Sequence, residues 1–144
     1  MNSSRAGDST LRFGSGQVEP SELASLCASA GWYVLPPANY RKALAGTYFS
    51  LSARDSGGRL VGYGRIVSDG GVYAWIHDLV VLPERRGQGI GSRLLTGLIQ
   101  RAEADGIPYL GLFAAKGRAR FYERFGFRPR PGDAPGMFLW FAPD

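Results

Sequence analysis

The sequence predicts an α/β domain in which an antiparallel meander is followed by a strand–helix–strand crossover. Two observations carry that class. Residues 47–81 contain three apolar, β-prone runs separated by turns rich in Asp and Gly. The period then changes: Ile90, Leu94, Leu95, Leu98, Ile99 and Ala102 share one helical face, with Arg93, Thr96, Gln100 and Glu103 opposite. The strands on either side of that helix must lie parallel, because a tight hairpin cannot join them.

The elements follow in order. Residues 1–9, MNSSRAGDS, are small and polar and are expected to be disordered, leaving 10–144 as a single domain. Thr10–Phe13 reads as a short first strand. Pro20-Ser21-Glu22 opens a helix with apolar members Leu23, Leu26, Cys27 and Ala30, stopped by Gly31. An aromatic, proline-stopped loop, 32–37, precedes a second short helix over Ala38–Ala45. The meander strands are Thr47–Ala53, Leu60–Val67 and Val72–Val81, with turns at 55–58 and 68–71. Gly106 ends the long helix and Pro108 introduces a strand over Tyr109–Ala114. A short helix fits Arg118–Phe125, and a closing strand pair fits Phe127–Pro129 and Met137–Phe141.

Composition narrows the functional classes. Apolar residues make up 44% of the 144 and charged residues 20%, an ordinary globular balance. Apolar runs such as Leu79–Leu82 are far short of the roughly 20 residues that a membrane span requires. The N-terminus lacks the basic-then-apolar layout of an export leader, so a cytoplasmic location is expected. Cys27, the single cysteine, is flanked by Leu23, Leu26 and Ala30 and reads as a small core residue. The net charge is +5, with all basic residues except Lys42 and Lys116 arginines. These are scattered, with no block and no nucleic-acid motif; the charge suits a small ligand bearing several phosphates, or for most of these arginines a plain solvated surface.

Such a ligand has an evident seat. Pro83-Glu84-Arg85-Arg86-Gly87-Gln88-Gly89-Ile90-Gly91-Ser92 joins a strand to the amphipathic helix. Its glycines uncover backbone N–H groups, and the first helical turn has N–H groups with no intrahelical acceptor. Arg85 and Arg86 add charge at the edge. The loop is not a Walker loop, for it contains no lysine. It is not a dinucleotide fingerprint either: Ser92 or Leu94 falls where the last glycine belongs, and Pro108–Leu112 replaces the expected acid.

Arg86-Gly87-Gln88-Gly89-Ile90-Gly91 resembles the R/Q-x-x-G-x-G/A signature of the GNAT superfamily of N-acetyltransferases. Arg118–Phe127, RARFYERFGF, resembles its later A-x-x-F-Y-x-x-x-G-F element: Phe121, Tyr122, Gly126 and Phe127 are in place, while the alanine is displaced to Ala119. The resemblance covers residues 10–142. It implies a mixed central sheet of about six or seven strands, mostly antiparallel, with a bulged strand and helices on both faces. It also implies acetyl transfer from acetyl-CoA, as cosubstrate and without a metal, to a primary amine attacking directly in a ternary complex. By resemblance, Arg86, Gly87, Gln88, Gly89, Ile90, Gly91 and Ser92 would bind the coenzyme A pyrophosphate. The backbone of Leu79, Val80 and Val81 would pair with the pantetheine arm and offer an oxyanion N–H.

The chemistry needs an acid for the leaving thiolate and a base for the amine. Tyr122, a phenol with pKa near ~10, is the acid candidate. His77 and Asp78 interrupt an otherwise apolar strand and are the base candidates. Imidazole suits the task better near neutral pH, which leaves Asp78 as substrate anchor or alternative base. Trp32 and Tyr33, with Tyr40 and Tyr48, stand where the family builds its acceptor wall, and the loop 130–135 with Asp133 is placed to close over it. A homodimer through Met137–Phe141 is expected. The competing readings are a non-catalytic acetyl-CoA sensor and a polyanion binder using the arginines.

Overall fold

The computed structural model describes residues 10–142, so the polar segment 1–9 lies outside the described residues. The chain divides into two compact units, one reaching Leu112 and the other starting at Phe113.

The first unit is a five-stranded sheet in the order β1-β2-β3-β4-β5, with strands Arg12–Gly14, Phe49–Arg54, Leu60–Ser68, Tyr73–Val81 and Tyr109–Gly111. The first four are antiparallel neighbours, and β5 runs parallel to β4. Helices α1 (Pro20–Ser29) and α2 (Pro37–Ala45) precede the meander, and α3 (Ile90–Ala104) makes the crossover. Both meander turns are held by an aspartate. Asp55 Oδ1 accepts from the Gly57 and Arg59 amides at 3.0 and 2.9 Å. Asp69 Oδ1 accepts from those of Gly71, Val72 and Tyr73 at 2.8, 2.7 and 3.2 Å.

The long helix lies close because the strand beneath it has glycines where side chains would stand. A Cβ on Gly62 would come within 2.8 Å of Ile90 Cγ2, and one on Gly64 within 2.9 Å of Leu98 Cδ1 and Leu79 Cδ1. From the helix side, Gly97 makes room for Leu51 in the same way. Ile90, Leu94, Leu95 and Leu98 are sealed from solvent, the face that the periodicity predicts. Leu23, Leu26 and Cys27 of α1 join Tyr63 and Val80 in the core. Burial pushes the Cys27 thiol up to about 12, with the Asp78 carboxylate adding to it. No helix among the described residues is long and apolar enough to cross a membrane.

Among its described residues the second unit contains one short helix, α4 (Ala119–Glu123), and otherwise irregular chain. Here the sequence expectation fails: Phe127–Pro129 and Met137–Phe141 form no strands, and the sheet has five strands instead of six or seven. Pro129, Pro131 and Pro135 remove three ladder donors from this stretch. Met137, Phe138, Leu139 and Phe141 are 83–90% exposed. Strand β5 also stops at Gly111, short of the expected Ala114.

Candidate active site

Strand β4 carries the irregularity on which the site turns. Its ladder with β3 runs Ile66↔Ile76 and Arg65↔His77, then Tyr63↔Val80 and Gly62↔Val81. Two steps along β3 therefore match three along β4, the signature of a bulge. Asp78 is the residue that absorbs it, in the left-handed region at φ 54°, and no other non-glycine among the described residues has positive φ. Gly64, opposite, lets Leu79 turn onto the α3 face. Tyr73, Trp75 and His77 thus share the other face of the strand, by simple alternation.

The bulge is clamped. Arg65 Nε donates to Asp78 Oδ2 at 2.6 Å, both side chains being mostly enclosed. His77, the cross-strand partner of Arg65, is half-buried. Burial, followed by the Arg65 charge, holds its imidazole below the ordinary pKa against the opposing pull of Asp78. A neutral imidazole is what a proton acceptor must offer. Sequence reasoning found His77 and Asp78 but missed Arg65, which stands inside the run Leu60–Ser68 with no local signal. Its cross-strand partner, His77, is twelve residues further along the chain, beyond a turn.

Beyond Trp75↔Gly111 the β4–β5 ladder stops, so β5 does not pair with the stretch from Ile76 to Val81. Leu79, Val80 and Val81 lie on that stretch. The strand then enters a single 3-10 turn, Pro83–Arg85, and the loop predicted to hold phosphate. Gly87 and Gly89 are left-handed at φ 79° and 80°, with open space where a Cβ would stand. Gly89 is the residue capping α3, and it offers no side chain to the helix's first amides. The first N–H bonded back within the helix is that of Arg93, to Gly89 at 3.1 Å, leaving Ile90, Gly91 and Ser92 amides for another acceptor. At the loop's entrance, Arg85 Nε and Nη2 are enclosed without a hydrogen-bond partner among the described residues. Two enclosed guanidinium nitrogens without partners and the uncapped helix amides fit a pyrophosphate, and the β4 stretch left without a β5 neighbour fits an extended amide-bearing arm. These features fit a coenzyme A molecule.

Tyr122 belongs to the second unit. Its ring packs edge-on against Phe121 and Phe127, with centroids 5.1 and 6.0 Å away. Burial pushes its phenol above the ordinary value, opposed by Arg118, so it keeps its proton at neutral pH.

On the acceptor side the structure separates residues that the sequence groups. Tyr40 is core, and its hydroxyl accepts from the Leu35 amide at 3.1 Å. Tyr48 donates to Asp105 Oδ2 at 2.6 Å and is tied to the end of α3. Trp32 and Tyr33 stay 36% and 46% exposed on the loop after α1. A row not singled out in the sequence lies beside His77: Tyr109 stands 5.4 Å from Tyr73 and 5.7 Å from Trp75, ring centre to ring centre. Gly111 makes this packing possible, for a Cβ there would meet Trp75 Cζ3 at 2.8 Å. A separate cavity of about 580 Å³ lies over β2, between Ser15–Pro20 and the end of α2, with Ser50 and Tyr63 among its lining; neither Trp32 nor Tyr33 borders it.

Comparison with known proteins follows the same lines. The family model for the acetyltransferase (GNAT) family matches residues 19–127. An uncharacterized N-acetyltransferase, ycf52, of Pyropia yezoensis is 35% identical over 123 residues, covering 83% of this chain and 70% of its own. The histone acetyltransferase TAP1 of Glycine max is 34% identical over 136 residues, covering 88% of this chain and 58% of its own. Among solved structures, a probable acetyltransferase of Staphylococcus aureus, SA2161, superposes with a TM-score of 0.85 at 25% identity, covering 91% of this chain and 99% of that one.

Proposed function

The chain belongs to the acetyltransferase (GNAT) family and is an acetyltransferase; from that premise we propose that it acetylates a primary amine by direct attack in a ternary complex with acetyl-CoA. The observation that carries the cofactor is the uncapped, glycine-lined start of α3 beside the unpartnered Arg85 nitrogens. When bound, acetyl-CoA supplies an acetyl thioester. Arg86–Ser92 would hold its pyrophosphate through backbone N–H groups, with Arg85 adding charge. The backbone of Leu79, Val80 and Val81 would pair with the pantetheine arm, and an N–H of this stretch would face the carbonyl oxygen as negative charge grows there. His77 would take the proton from the amine, with Asp78 as anchor or alternative base. Tyr122 would donate its proton to the departing sulfur.

For the acceptor, the row Tyr73, Trp75 and Tyr109 supports an arylalkylamine. Trp75 precedes His77 by two strand positions, about 6–7 Å, comparable with the reach from ring to nitrogen in such an amine. Trp32 and Tyr33 would form the outer wall. A protein lysine is the contrasting acceptor, suggested by the name of the soybean relative. The exposed Met137–Phe141 segment supports a homodimer in which a second copy covers it.

The test is calorimetric titration with acetyl-CoA, coenzyme A and ATP, then thiol release with phenethylamine, an aliphatic amine and a lysine peptide. Saturable binding of both coenzyme A forms, with ATP much weaker, is expected, and phenethylamine should be the fastest acceptor. No binding at millimolar acetyl-CoA would remove the cofactor reading; equal rates for all amines would remove the aromatic one.

A further inference from the structure

Arg65 has no part in the sequence motifs, yet it is the residue around which the bulge is built. It reaches from β3 to Asp78 on β4, and its own cross-strand partner is His77. Three polar residues meet here on otherwise apolar strands: Arg65 and Asp78 with only 15% and 25% of their side-chain surface exposed, and His77 half-buried. An aspartate held in the left-handed region is strained and persists only when its surroundings hold it. The 2.6 Å contact from Arg65 Nε is the side-chain bond found on Asp78.

We propose that Arg65 is a positioning residue: its bond to Asp78 fixes the bulged backbone of β4, and it stands directly across the ladder from His77, the proposed base. The catalytic meaning of this hold rests on His77 acting as the base. The groups bearing on His77 are Arg65 from β3 and Asp78 from β4 itself, which act in opposite senses. From α1, Cys27 faces the Arg65–Asp78 pair, and its thiol is uncharged across the working range. Arg65 therefore has a double action. It repels a proton from His77 directly, and it engages the carboxylate that would otherwise attract one.

The chain contains a single histidine, so one imidazole spectrum reports the effect without assignment. Its titration should be followed by NMR in the wild type, Arg65→Gln, Arg65→Lys and Asp78→Asn. Loss of the guanidinium in Arg65→Gln should raise the midpoint. Arg65→Lys, which keeps the charge, should stay near the wild type even if Arg65→Gln is poorly folded. Asp78→Asn should lower it. The acidic limb of kcat/KM should move with the midpoint in each variant. An unmoved midpoint in a folded Arg65→Gln, or a shift in Arg65→Lys as large as in Arg65→Gln, overturns the proposal. A midpoint that moves while the acidic limb stays would uphold the hold of Arg65 on His77 and remove His77 as the base.

Discussion

Tyr122 and His77 treat their protons in opposite ways. Burial raises the phenol of one and lowers the imidazole of the other, so near neutrality the first keeps a proton and the second lacks one. In the proposed reaction the first would be ready to donate and the second to accept. Tyr122→Phe should lower turnover on the order of 10²-fold or more, while calorimetric affinity for acetyl-CoA stays nearly unchanged. His77 should become charged only below its ordinary value of 6.5. The acidic limb of the wild-type rate should therefore lie below pH 6.5, and His77→Ala should flatten it. An acidic limb that persists unchanged in His77→Ala would transfer the role to Asp78 or to water.

At the scale of elements, close approach of backbone and helix decides more than any polar contact. Gly64→Val would force a side chain into Leu79 and Leu98, and overpacking of this kind costs about 1–3 kcal/mol. A lower urea midpoint checks it. Gly89→Val acts differently: it meets no neighbour, but it strains a left-handed cap and crowds the phosphate loop. Its mark should be a raised Kd for acetyl-CoA in calorimetry, with a smaller loss of stability, about 1–2 kcal/mol. The meander and the long helix were legible because each is written locally, in Asp55, Asp69 and the period of Ile90–Ala102. The bulge was expected only from the family resemblance, and its seat at Asp78 was not legible, because the residues opposite, Gly64 and Arg65, lie on another strand. The closing strands were misread because an apolar run such as Met137–Phe141 does not say what it pairs with. The cavity over β2 was invisible because it joins Ser15–Pro20 to Arg41–Ser50 and Tyr63.

For the whole molecule, one ion pair joins its early and middle parts. Arg54 donates to both oxygens of Glu22 at 2.7 and 3.0 Å, and also to the carbonyls of Gly58 and Gln17, linking β2 to α1 and the chain before it. The bond to Arg54 lowers the Glu22 pKa below its ordinary 4.5. A depressed carboxylate stabilises the fold above the unfolded value and loses that contribution as pH falls through the folded one. Glu22→Gln should thus melt earlier than the wild type at pH 7, with the difference shrinking as pH falls below 4.5 and gone once it is below the lowered folded value. The exposed 137–141 segment predicts self-association. Sedimentation should find a dimer at micromolar concentration, and Phe138→Asp should return it to monomer; a wild-type monomer would leave the segment to some other cover.

Cys27 gives the chain an experimental convenience. It is its single sulfhydryl, 3% exposed and with its ionisation pushed up to about 12. The folded protein should therefore be blind to colour reagents that react with thiolates. Every equivalent that such a reagent counts during a reaction would be free coenzyme A, so turnover of any amine can be read continuously, in the presence of the catalyst and without subtracting it.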